Sequence, residues 1–69
     1  MEVLTINGQE KEFPGGIPLT LAELLNELGI SQATVMAQID GQIVDRGDFA
    51  QTKVLSHQSI ELMRLMGGG

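Results

Sequence analysis

Leu19-Thr20-Leu21-Ala22-Glu23-Leu24-Leu25-Asn26-Glu27-Leu28-Gly29 is the stretch on which the reading of the fold turns. Leu21, Leu24, Leu25 and Leu28 recur at i, i+3, i+4 and i+7, a spacing that puts all four on one side of an α-helix. Thr20 and Glu23 have the spacing of a capping box, in which each side chain accepts a hydrogen bond from the other's free backbone N–H. Leu19 and Leu24 stand where a hydrophobic staple would close, and Gly29 suits the left-handed residue that ends a helix. The spacing predicts a two-turn amphipathic helix whose leucine stripe must be covered by another element.

The flanking sequence supplies strands to cover it. Val3-Leu4-Thr5-Ile6 runs into Asn7-Gly8, a dipeptide that readily takes the positive φ angles of a two-residue hairpin turn. The return strand, Gln9 to Phe13, is polar except at its end, as expected of an edge strand with only Phe13 turned inward. Pro14-Gly15-Gly16 then breaks the pairing. Beyond the helix, Val35 to Ile39 alternates, Asp40-Gly41 makes a second tight turn and Gln42-Ile43-Val44 returns. Asp45 to Thr52 reads as a loop with Phe49 as its anchor in the core. Lys53-Val54-Leu55 is expected as a short edge strand and Ser56 to Ser59 as a polar turn. Ile60 to Met66 is apolar enough for a central strand beside the first. One helix over a mixed sheet of four or five strands, with first and last strands adjacent, is an α+β arrangement: the β-grasp, or ubiquitin-like, fold. Residues 1–66 are expected to form this single domain, with 67–69 as a flexible glycine tail.

Composition narrows the function. Sixty-nine residues leave room for one small core, because so short a chain buries only about 60% of the surface that it exposes when unfolded. A deep, closed active site is not expected. Nine acidic residues against four Lys and Arg give a formal charge of -5, the wrong sign for phosphate backbones or anionic lipid. Neither nucleic acid nor a membrane surface is therefore an expected partner. The chain has no cysteine, which removes disulfides, thiolate-metal sites and thiol catalysis. Met1-Glu2-Val3 opens without a basic region followed by an apolar stretch, and no window approaches the ~20 apolar residues of a membrane span, so a cytoplasmic location is expected.

The usual catalytic groupings are missing. His57 is the single histidine and stands in a polar turn without a nucleophile beside it, the setting of a solvated imidazole. Glu10 and Glu12 share one side of an edge strand, where solvation explains them better than acid-base work. Gly15-Gly16 lacks the lysine and hydroxyl of a phosphate-binding loop, and no metal-ligand spacing occurs. Arg46-Gly47-Asp48 matches a triplet that engages receptors in extracellular proteins, which is not the expected setting here, so it is read as loop.

Gly67-Gly68-Gly69 stands apart from all of these. Glycines after a strand neither pack nor cap, and ordering them costs the most backbone entropy of any tripeptide. Without Cβ atoms, however, they fit a narrow channel in a partner and present the α-carboxylate of Gly69. A carboxylate is a poor acyl donor until AMP is transferred onto it from ATP. A sulfur nucleophile or an amine can then displace AMP, giving a thiocarboxylate or an isopeptide bond.

The order of elements, Asn7-Gly8, Leu19 to Leu25, the run Gln38 to Arg46 followed by Phe49-Ala50, and Ile60 to Gly69 together resemble the ThiS family of thiamine-biosynthesis sulfur carriers. The resemblance covers nearly the whole chain and is carried by the conjunction of these features with a terminal Gly-Gly. It implies a carrier rather than an enzyme, with no bound cofactor. A ThiF-like adenylating enzyme would use ATP to activate Gly69, sulfur from a cysteine-derived persulfide would replace AMP, and thiazole synthase would receive it. Where the family commonly carries Gly-Asp before the last strand, this chain has His57-Gln58, and Asp45 stands where proline is common. Related carriers serve molybdopterin, cysteine and homocysteine synthesis, and ubiquitin-like modifiers use the same activated acyl group on lysines; both remain alternatives. For partner binding the expected residues are Gly67 and Gly68, gripped through their backbone, and Met63 and Leu65 on the outer face of the sheet, although the alternation of the last strand leaves open which set faces the helix.

Overall fold

A computed structural model of the chain describes residues 2–65. The strands are β1 (Glu2–Ile6), β2 (Gln9–Phe13), β3 (Val35–Ile39), β4 (Gln42–Val44) and β5 (Ser59–Arg64), and the helix α1 spans Leu21–Glu27. They form one five-stranded sheet in the order β2-β1-β5-β3-β4. β1 and β5 run parallel, whereas the β1–β2, β3–β4 and β3–β5 pairs are antiparallel. This is the mixed sheet of a ubiquitin-like β-grasp, with α1 on one face.

Both hairpins form for the reason that their turn residues give. Asn7 and Gly8 have φ of 51° and 82°, and Asp40 and Gly41 have 49° and 85°. Positive φ at both central positions matches the twist of the flanking strands. Leu21, Leu24 and Leu25 are fully buried against Leu4, Ile60 and Leu62, while Phe13, Phe49 and Val54 close the margins of the same cluster. Leu28 is the C-cap and packs against the core only in part. Gly29 then takes φ 73°, its N–H donating to the Asn26 carbonyl and the Ile30 N–H to that of Leu25. This pair of bonds is a Schellman motif.

Four local expectations are corrected. The Thr20 hydroxyl accepts from the Glu23 N–H at 3.2 Å as a cap should, but it also donates to the Glu23 carboxylate at 3.3 Å, so the reciprocal arm of the box closes on the hydroxyl. Leu19 is 63% exposed and does not form the staple with Leu24. The backbone accounts for this: the Leu19 carbonyl accepts from Val54 N–H at 3.1 Å and Leu21 N–H donates to Thr52 at 2.9 Å, which turns the Leu19 side chain outward. The same bonds explain why Lys53-Val54-Leu55 is not a strand of the sheet. Its pairing partner is the N-cap of α1, and only one bridge, Thr20 to Lys53, forms before the helix begins. The last strand is Ser59–Arg64 rather than 60–66; Met66 lies outside the described residues, as does the predicted tail.

The contact that joins the ends of the fold is a side chain doing backbone work. Asn7 N–H donates to the Ile60 carbonyl at 2.8 Å, and Asn7 Oδ1 accepts from Leu62 N–H at 2.7 Å. β1 stops at Ile6 because the chain must turn, so Asn7 supplies the acceptor that the next residue of a parallel ladder would have given to β5. Asn7→Gly keeps the turn geometry but orphans the Leu62 donor, and is expected to lower unfolding stability by about 1–2 kcal/mol. Asn7→Asp, which retains the acceptor, should lose less. Urea unfolding of the three proteins checks this; an Asn7→Gly variant as stable as the parent would show that the side-chain bond contributes nothing.

Candidate functional site

β5 is the central strand and leads toward the C-terminus, so its two faces decide what the end of the chain presents. Ile60 and Leu62 are buried on the helix side, and Glu61 and Met63 take the outer side. The orientation left open by the sequence is thereby settled: Met63 is 46% and Leu65 39% exposed, and neither belongs to the core cluster.

Strand pairing adds to the outer face two apolar residues that sequence reasoning missed. Met36 on β3 lies directly opposite Met63. Ile43, 61% exposed, lies opposite Gln38 on the same outer face. The signal for Ile43 was present, because a two-residue turn at Asp40-Gly41 forces Gln38 and Ile43 into register. Met36 becomes a neighbour of Met63 only through the β3–β5 pairing. On the other side of β5 the outer face turns acidic: Glu10 and Glu12 pair with Thr5 and Val3, alternating with Lys11 and Phe13, whose ring lies 5.6 Å from the Lys11 ammonium on the helix side. Glu61 stands between the two halves. The outer face thus carries exposed apolar residues on β4 and β5 and carboxylates on β2 and β5.

Beyond β5 the chain is still tied to the domain. Leu65 N–H donates to the Thr34 carbonyl at 2.8 Å. Thr34 ends a single 3₁₀ turn, Gln32–Thr34, capped by Ser31. Arg46 bends back onto that turn, with Nε donating to the Gln32 carbonyl at 3.1 Å and Nη2 to the Ala33 carbonyl at 3.2 Å. The arginine of the Arg46-Gly47-Asp48 triplet is therefore engaged with its own chain. Gly67, Gly68 and Gly69 lie outside the described residues, and the structure brings Met63 and Leu65 together as exposed residues at the root of that segment. Among the described residues no group of three His, Asp or Glu side chains is placed to hold a metal ion, and no helix is long and apolar enough to cross a membrane.

A ubiquitin-like β-grasp domain that carries an apolar outer face and leads from its central strand into a glycine-rich end defines the class of protein. Comparison with known proteins makes it particular. The ThiS family model matches residues 4–69, and the chain belongs to the ThiS family. A crystal structure of the thiamine biosynthesis protein ThiS from Geobacter metallireducens superimposes with a TM-score of 0.83 at 34% identity, covering 97% of this chain and 99% of that one. The solution structure of a thiamine biosynthesis protein from the same organism gives 0.78 at 34% identity, covering 100% of this chain and 88% of that one. A protein named thiazole synthase from Paramagnetospirillum magneticum is 33% identical over 66 residues, which are 96% of this chain. The chain spans only 20% of that relative's length.

His57, expected from the sequence to be a solvated imidazole in a polar turn, is exposed and sits in a tight turn. Its φ is 72°, a left-handed conformation that favours glycine, and its N–H donates to the Val3 carbonyl at 2.7 Å. Gln58 closes the turn by accepting the Leu55 N–H on Oε1 at 2.8 Å. The imidazole is exposed and the backbone is strained, so His57→Gly should raise stability by about 0.5–1 kcal/mol, the left-handed penalty less the extra freedom of glycine in the unfolded chain. Thermal unfolding reads this directly, and a lower midpoint for the glycine variant would mean that the imidazole makes a stabilising contact.

Proposed function

We propose that this chain carries sulfur as a thiocarboxylate on Gly69 and delivers it for assembly of the thiazole of thiamine. The observation that carries the reading is that the ThiS match runs through Gly69, the residue whose carboxylate the chemistry needs. The thiazole synthase relative adds support, since a segment similar to this whole chain occupies one fifth of its length. A carrier joined in one chain to a protein so named is the arrangement expected if the two act together.

In the proposed sequence a ThiF-like enzyme binds ATP, and the Gly69 carboxylate oxygen attacks the α-phosphorus. Pyrophosphate leaves and an acyl-adenylate forms. The terminal sulfur of a cysteine-derived persulfide then attacks the acyl carbon and expels AMP, leaving an acyl disulfide. A thiol reductant attacks the far sulfur of that disulfide, releasing the thiocarboxylate and leaving the reductant and the cysteine oxidised as a disulfide. This chain contributes no acid or base to these steps. It is a substrate: Gly67 and Gly68 pass through the partner's channel, and Met63 and Leu65, with Met36 and Ile43, dock on its surface. ATP belongs to the activating partner.

Incubation with a ThiF-like enzyme, ATP and a persulfide donor, followed by intact-mass measurement, tests the reading. Exchange of one carboxylate oxygen for sulfur adds about 16 Da to the intact chain. A ladder of lysine conjugates would instead identify a protein modifier, and an unchanged mass would sink both. One residue added after Gly69 displaces the carboxylate by about 3.5 Å and should abolish the gain. For the docking face, Met63→Asp is expected to weaken binding to the activating enzyme about tenfold by placing a charge against an apolar contact, with the fold kept because Met63 is outside the core. Titration calorimetry or biolayer interferometry reads the change, and equal affinity in a folded variant rejects the surface.

A further inference from the structure

We infer that Arg46 is a positioning residue for the acyl-transfer chemistry, acting through the 3₁₀ turn Gln32–Thr34 on the segment that presents Gly69; the inference rests on the function proposed above. Three successive carbonyls leave that turn. Those of Gln32 and Ala33 are held by the Arg46 guanidinium at 3.1 Å and 3.2 Å, and that of Thr34 accepts the Leu65 N–H at 2.8 Å. A one-turn 3₁₀ helix has weak hydrogen-bond geometry of its own and frays readily. Here its N-terminal end is fastened by the Ser31 hydroxyl, which accepts from Ala33 N–H at 3.3 Å, and its C-terminal end by a cation facing the carbonyls. Fixing two carbonyls of so short a turn fixes the direction of the third.

That third carbonyl matters because Leu65 is the residue nearest Gly69 whose tie to the domain the structure describes. Gly69 lies four residues beyond it, within roughly 14 Å of chain, so the anchor at Leu65 sets the origin from which the carboxylate is delivered. Three of those four residues are glycine and bring no side chain to guide them. If the Thr34 carbonyl drifts, Leu65 joins the length of backbone that a partner must order. Leu62, by contrast, is held by Asn7 on the other side of β5 and does not depend on Arg46. The planar fork of arginine suits two neighbouring carbonyls in a way that a single ammonium does not.

The test uses the full chain and two readouts. In Arg46→Ala, amide exchange at Leu65 should quicken about tenfold while that at Leu62 is unchanged, a measurement that needs no enzyme. With the activating enzyme, KM for the carrier should rise about fivefold at unchanged kcat, the size expected for ordering one further backbone residue on binding. Arg46→Lys, which keeps the charge without the fork, should fall between the two. Val54→Ala, which thins the core beside Leu19, controls for stability and should leave KM at the parent value. Unaltered Leu65 exchange in Arg46→Ala overturns the coupling whatever the kinetics show. Faster exchange with an unchanged KM, or an equal rise in KM for Val54→Ala, overturns the positioning role. A parent chain that is never adenylated refutes the proposed function and this role together, and is recognised by the failure of the unmutated protein.

Discussion

The parallel pairing of β1 with β5 is the constraint from which the rest of the structure follows. It brings together Asn7 and Leu62, which stand 55 residues apart, and closing a loop of that length costs about 3.5 kcal/mol of chain entropy beyond a constant. The return comes from what the pairing organises. With β5 in the centre, Leu4, Ile60 and Leu62 form one apolar floor beneath Leu21, Leu24 and Leu25. β3 can then add to the free side of β5 and carry β4 with it. Thr5 N–H donating to Gln58, Asn7 N–H donating to Ile60 and the Asn7 side chain on Leu62 are the bonds that hold this junction.

The same pairing explains why so small a protein has a usable surface. A sheet covered by a helix on one face leaves the other face to water or to a partner, and period-two alternation sorts every strand accordingly. β5 therefore gives two residues to the core and sets Met63 outward beside Met36. Met63 lies past the last paired residue of β1, which is Ile6 opposite Ile60, and has Met36 as its cross-strand neighbour. The carboxylates of the acidic edge strand β2 discourage strand-to-strand association.

Anchoring of the C-terminal segment is divided between the two neighbours of β5. Asn7 holds it from the β1 side at Leu62, and Thr34, just before β3, holds it at Leu65. The two loops that do this are polar, exposed and short, and each relies on a side chain that takes over a backbone role. His57 and Asn7 illustrate opposite solutions to a tight turn. Asn7 tolerates positive φ and contributes a bond, whereas His57 occupies the left-handed region with its backbone alone.

Much of the architecture was legible without coordinates. The leucine spacing determined α1 and the face that it buries, Asn7-Gly8 and Asp40-Gly41 determined two hairpins and their registers, and Gly29 determined where the helix stops, because each of these is a local conformational preference that few residue types can meet. The glycines at 67–69 and the lack of cysteine are likewise plain in the composition. What the tertiary structure decided was everything that depends on a distant partner. The side to which Met63 points, its neighbour Met36, the loss of the Leu19 staple to pairing with Val54, and the reach of Arg46 to Gln32 and Ala33 all depend on segments brought together only by the sheet. A hydrogen bond between residues far apart in the chain leaves no periodicity to read, since its donor and acceptor are ordinary polar groups until folding places them within 3 Å or so of one another.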